Sequence, residues 1–229
     1  MAITFFNPAD PLALAGWEVQ SNNPSTSYER AATLGPDGDE QASTLYGGRT
    51  SITLNYKLAQ TGDGPITIPA VGTTNDGWHI DSVTLNLTAS DYPTLDVSAH
   101  KHVDGTSHDK AHRTYSIPEA IAATLKPQFG IPAGAAGLTF GASLADGFSS
   151  ITLALTANHV EADLVGYTPA VPASDNHDGT LTVTAEVIGD GTPTVASGIK
   201  YDTTETSKTT SNSSGCTSSN TYVIHLKHD

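Results

Sequence analysis

Three stretches of the chain repeat one alternation of apolar and polar positions. Val83-Thr84-Leu85-Asn86-Leu87-Thr88-Ala89, Ile151-Thr152-Leu153-Ala154-Leu155-Thr156-Ala157 and the shorter Leu181-Thr182-Val183-Thr184-Ala185 each put a β-branched or aliphatic residue at every second place, with Thr, Asn or Ala mostly in between. A period of two is that of a strand with one face buried and the other wet or tightly packed. Arg49 to Leu58 alternates in the same way, with Ile52, Leu54 and Tyr56 set against Thr53, Asn55 and Lys57, and Thr221 to His228 reads as a terminal strand docked into a sheet. No copy of the repeat carries a nucleophile, a charged cluster or a phosphate loop, so the repeat speaks for architecture and assembly.

The turn chemistry agrees with a mainly β chain. Gly35-Pro36-Asp37-Gly38-Asp39 is a tight-turn sequence, because Pro presets φ and Gly accepts positive φ. It predicts a hairpin between Tyr28–Leu34 and Gln41–Tyr46. Further turn signals fall at Gly62-Asp63-Gly64-Pro65, Asn75-Asp76-Gly77, Asp178-Gly179 and Gly189-Asp190-Gly191. Their acidic character invites a calcium reading, but none has the spaced oxygen ligands and closing Glu of a dedicated calcium loop. One helix is predicted near 117–126: Ser116 caps it, Pro118 suits the first turn, Glu119 favours the positive end, and Pro127 stops the run. The Ser/Thr-rich tract over 200–220 reads as a linker or as a long hairpin at a rim. These elements predict a β-sandwich or half-barrel with one short flanking helix. The main β domain is placed at 1–146, and 147–229 is a second small β module or a continuation of the sheet.

Charge narrows the partners. Ten Lys and Arg stand against 24 Asp and Glu, a formal charge of −14, which repels nucleic acid and anionic lipid rather than recruiting them. At 229 residues the chain can bury a core without a disulfide or metal staple. Cys216 is the one cysteine, so no intrachain disulfide forms, and with no His or acid beside it a nucleophile role has no partner. The opening Met1-Ala2-Ile3-Thr4-Phe5-Phe6 has no basic region followed by an apolar run, so synthesis in the cytoplasm without a secretory signal is expected. Nothing reaches the apolar length of a membrane span.

One constellation is chemically suggestive. His100, His102, His108 and His112 fall within a single short segment, Ala99 to Arg113. On a strand His100 and His102 project from one face, so they would share a metal, with His108 or His112 returning from a loop as a third ligand. Against this, no carboxylate with a general-base role accompanies them, and Lys101, Lys110 and Arg113 add positive charge. The other reading is a polar loop or subunit contact whose histidines are hydrogen-bonding, partly buried groups. Enzyme signatures are lacking: there is no Gly-x-Ser-x-Gly elbow, phosphate-binding glycine loop or HExxH helix, and Asp10, Glu18, Asp81 and Glu186 do not pair into a dyad from sequence. No enzyme activity and no cofactor are expected.

The stretch from Tyr28 through Gly35-Pro36-Asp37-Gly38-Asp39 to Tyr56 resembles the opening of tail tube proteins of tailed bacteriophages. Asp91-Tyr92-Pro93-Thr94-Leu95, followed by His100-Lys101-His102, is also similar to segments of phage virion proteins. The resemblance covers the first half of the chain. It implies a subunit whose sheets curve into a barrel shared by a ring, commonly hexameric, with rings stacked into a tube that conducts DNA without binding it specifically. It also implies a short helix outside the sheet, for which Pro118–Leu125 is the available element, and a β module after Gly147 that decorates the exterior. The expected partners are other copies of the chain and other virion proteins, with no membrane, and the expected location is the virion.

Two alternatives stand beside it. One is a capsid decoration or head fibre protein. The other is a metal- or glycan-binding β-sandwich used for adhesion, in which His100 and His102 retain metal and Trp17 or Trp78 contacts the ligand. Otherwise those tryptophans are core or interface anchors.

Overall fold

A computed structural model describes residues 9–59, 67–88, 91–103, 114–117, 138–140, 148–157, 161–162, 171–172, 179–188, 193–195, 201–211 and 217–226. The strands, in chain order, are β1 (Trp17–Leu34), β2 (Glu40–Leu58), β3 (Thr74–Asn75), β4 (Trp78–Thr88), β5 (Thr94–His102), β6 (Leu138–Phe140), β7 (Phe148–Ala157), β8 (Glu161–Ala162), β9 (Val171–Pro172), β10 (Gly179–Ile188), β11 (Pro193–Val195), β12 (Tyr201–Ser211) and β13 (Thr217–Leu226). One sheet runs β1-β2-β5-β4-β7-β10-β13-β12, with β3 added beside β4. Every ladder in it is antiparallel. The chain is therefore mainly β, as its periodicity predicts. The helix expected near 117–126 lies, beyond Ile117, outside the described residues.

The three echoing stretches are β4, β7 and β10, and they are consecutive neighbours. Leu85 stands opposite Leu153, which stands opposite Val183; Val83, Leu155 and Leu181 form the next row. All six are buried, none more than 2% exposed. Like side chains thus stack across three strands on one face, which is how cross-strand pairs stabilise a sheet. The seam between the chain's halves is the β4–β7 ladder, where Ser82–Thr88 pairs with Ser150–Thr156.

The apolar face continues onto β5 through Leu95, Val97 and Ala99, onto β2 through Ile52, Leu54, Tyr56 and Leu58, and onto β1 through Trp17 and Val19. Leu12, Leu14, Val71, Tyr115 and Ile117, from short segments outside the long strands, complete the cluster. Two clips hold these segments in place. One carboxylate oxygen of Asp10 accepts from the Tyr56 hydroxyl at 2.7 Å and from the Leu12 and Ala13 amides at 3.1 and 2.9 Å. Val71 and Tyr115 exchange backbone hydrogen bonds at 2.7 and 2.9 Å. Burial, helped by the hydrogen bond to Asp10 and that residue's charge, holds the Tyr56 phenol far above its ordinary range.

The opposite face is polar and keyed by a hydrogen-bonded ladder. Asn55 donates to Asp96 at 2.6 Å, Asn86 donates to the other Asp96 oxygen at 3.1 Å, and Thr152 donates to Asn86 at 3.1 Å. These contacts cross β2, β5, β4 and β7. They have a register-setting role, since a slip by one residue would carry every member to the apolar face.

Turns behave as their residues require. Asp76 and Gly77 join β3 to β4 with φ of 48° and 79°, the left-handed pair of a tight hairpin. At the β1–β2 turn Gly38 takes φ 82° and donates to the Gly35 carbonyl at 3.0 Å, while Gly35 donates to Asp39 at 2.7 Å.

Candidate functional site

The histidine segment ends β5, and the sheet brings it partners that its own sequence does not contain. His100 and His102 share the polar face of β5, two residues apart. β4 sets His79 directly opposite His100, and β2 sets Arg49 opposite His102. The β4–β5 register shifts between Ile80 and Ser82, so Asp81 is the extra residue of a bulge. Bulges re-aim side chains, and here the Asp81 carboxylate reaches the His100 Nδ1 at 2.7 Å. Arg49 lies 3.6 Å from the second Asp81 oxygen.

The cluster is packed as well as hydrogen-bonded. His100 is 2% exposed and His79 is 6% exposed. Their rings stack with centroids 5.4 Å apart, and His102 meets His100 edge-on at 5.7 Å. The Thr74 hydroxyl is 3.1 Å from the His79 Nδ1. On the other face of the same corner the Lys101 ammonium sits 4.6 Å from the centre of the Trp78 ring, a cation–π contact. Chemically, this arrangement positions a buried imidazole between a carboxylate and a second ring, and it ties the start of β4 and the end of β5 to the middle of β2.

Of the four predicted metal ligands, the structure brings together His100 and His102; His108 and His112 lie outside the described residues, as does Cys216. Among the described residues no group of three or more His, Cys, Asp or Glu is arranged to hold a metal ion. Trp17 and Trp78 are each 7% exposed, and Trp17 donates its indole N–H to the Thr67 carbonyl at 2.9 Å. Both are core anchors rather than open stacking platforms.

Directly beyond this corner the sheet narrows to two strands. The β2–β5 ladder ends at Arg49 and His102, whereas β1 and β2 stay paired from Ser27 and Arg49 out to Leu34 and Glu40. This outer ribbon has no third strand among the described residues, and its residues 27–34 and 40–45 are exposed on both faces. Among the described residues, four of the five exposed large hydrophobic side chains belong to it or to its root: Tyr28 at 51%, Leu34 at 64%, Leu45 at 63%, and Val103, whose backbone amide donates to the Gly48 carbonyl at 2.8 Å. Arg30 and Glu40 form an ion pair across the ribbon near its tip.

No family model matches the chain, and no curated protein matches it.

Proposed function

We propose that the chain is a non-enzymatic structural subunit of a phage virion, built into the tail tube as stacked rings around a DNA-conducting lumen. The observation that carries the reading is the two-stranded ribbon beyond Arg49. A two-stranded ribbon alone in water is marginal at best, and this one holds Tyr28, Leu34 and Leu45 away from the core. Such an element earns its stability when another surface covers it, and large exposed apolar groups on an extended arm mark an interaction site. The ribbon and its turn also lie within the stretch that resembles the opening of tail tube proteins. The charge of −14 fits a conduit wall along which a polyanion passes without adhering.

The test is to express the chain alone and follow it by negative-stain electron microscopy and light scattering. Hollow tubes or stacked rings are expected. Uniform small particles that do not grow with concentration would overturn the reading and favour decoration or adhesion.

A further inference from the structure

Independently of the assembly reading, we infer that the histidine corner is an acid-released latch. Near neutral pH its stacked, uncharged rings fasten the start of β4 and the end of β5 to β2 at the foot of the ribbon. Below about pH 6 the uptake of protons opens that joint while the central strands stay paired.

The first observation is the charge around the rings. The ion pairs of this corner, among the described residues, share one carboxylate, Asp81 of the β4 bulge, and one guanidinium, Arg49 of β2. The remaining titratable groups there are the rings themselves, His79 from β4 with His100 and His102 from β5. Thr74 of β3 and Ser51 of β2, which face His79 and His100, are uncharged, and Lys101 lies on the other face over the Trp78 ring. Asp81 and Arg49 thus balance while the three imidazoles are neutral. A first proton can be shared between His100 and Asp81, 2.7 Å apart. A second sets like charges on neighbouring rings whose centroids are 5.4 or 5.7 Å apart, with Arg49 close by as a further cation.

The second observation is burial. His100 is 2% exposed and His79 6%, so water screens such a pair poorly. The Asp81 side chain is 31% exposed and gives protons a route to His100. Opening the corner returns each ring to water, where an imidazole titrates at about 6.5. The opened corner therefore binds more protons than the closed one, and linkage favours opening as pH falls through that value. The latch is at full strength above it.

The third observation is position. Ser51 opposite His100 and Arg49 opposite His102 are the last rungs of the β2–β5 ladder, followed by the Val103 amide on the Gly48 carbonyl. Beyond them the ribbon begins. The middles of the strands are fastened by Leu85, Leu153 and Val183 on one face and by Asn55, Asp96 and Asn86 on the other, with no imidazole among them. Release is therefore local, and it frees the foot of the ribbon.

Hydrogen exchange of the full chain at about pH 7.5 and about pH 5, with each rate divided by its intrinsic chemical rate, reads the latch. For every imidazole that gains its proton only on opening, the opened fraction should rise about thirtyfold between those conditions. Amides of 79–82 and 98–102 should lose protection by at least that factor relative to 151–156 of β7. His79→Phe keeps a stacked ring that takes no proton, and its acid response should shrink by about the same factor.

Corner protection that ignores pH, or that falls only in step with 151–156, would overturn the latch. An undiminished acid response in His79→Phe would overturn it too. The wild-type profile decides the question by itself where that variant fails to fold. Working below the concentration at which the chain assembles keeps the outcome separate from the functional reading.

Discussion

Gly179 opens β10 directly beneath Tyr115, and replacing it by Ala separates two opposing effects. In a strand interior with an ordinary backbone, Gly→Ala should stabilise by about 0.4–1 kcal/mol through the unfolded chain. Here the added Cβ would lie 2.4 Å from Cδ1 and 2.5 Å from Cγ of the Tyr115 ring. Carbon contacts settle near about 3.5–4.0 Å, so the ring must retreat by more than about 1 Å. It has little freedom to do so. Tyr115 is 6% exposed within the core, and its backbone is held by the paired hydrogen bonds to Val71 at 2.7 and 2.9 Å.

Overpacking of this kind costs about 1–3 kcal/mol, which outweighs the entropic gain and leaves a net loss of about 1–2 kcal/mol. Urea unfolding followed by far-UV circular dichroism measures it, with the slope serving as the check that the unfolded state is unchanged. The control is the same substitution in a Tyr115→Ala background. There the clash is gone, and Gly179→Ala should become neutral or stabilising, a coupling of about 1–3 kcal/mol between the two sites. A Gly179→Ala chain as stable as wild type, or an equal loss in both backgrounds, would refute the packing argument.

Leu153→Ala should cost about 2–5 kcal/mol, being fully buried among Leu85 and Val183, whereas Thr156→Ala on the opposite face should stay within about 0.5 kcal/mol. Paired thermal melts would show whether the two faces differ in this way. The raised phenol of Tyr56 favours the protonated form in the folded chain, so its contribution is complete below the ordinary phenol value of about 10 and is lost as pH rises beyond it. Tyr56→Phe should accordingly flatten the fall in unfolding free energy above about pH 10; an unchanged alkaline slope would count against it. Asp81→Ala removes the acceptor facing the buried His100 and should destabilise by about 1–3 kcal/mol, read as a lower urea midpoint.

Much of the sheet is written locally. The echo strands are legible because their apolar residues recur every second position, and the β1–β2 hairpin is legible because Gly35 to Asp39 supplies the conformations its turn needs. Strand order is not legible in that way. Nothing in Val83–Ala89 says that Ile151–Ala157, far along the chain, will lie beside it, because an alternating strand suits any partner of like pattern equally well. The polar ladder from Asn55 to Thr152 resolves the choice only once four strands have met.

The corner at β5 shows the same limit. Two-residue spacing singles out His100 and His102, but His79, Asp81 and Arg49 join them through ladder register and through a bulge that no local pattern announces. The ribbon's exposure was equally hidden. Tyr28, Leu34 and Leu45 look like core residues of a hairpin until the shorter β5 leaves them uncovered.

The β4–β7 seam also bears on synthesis. During translation β4 is complete by Thr88, and the strand that will cover its far edge begins only at Phe148. For that interval the nascent chain carries an open strand with bare amides and carbonyls. Its complement is coded in every neighbouring polysome-bound copy by a stretch of almost the same wording. Cross-pairing between two unfinished chains would then satisfy the same ladder as the correct fold, exchanging β7 between molecules. Faster passage through the intervening residues would shorten the interval in which that exchange can begin.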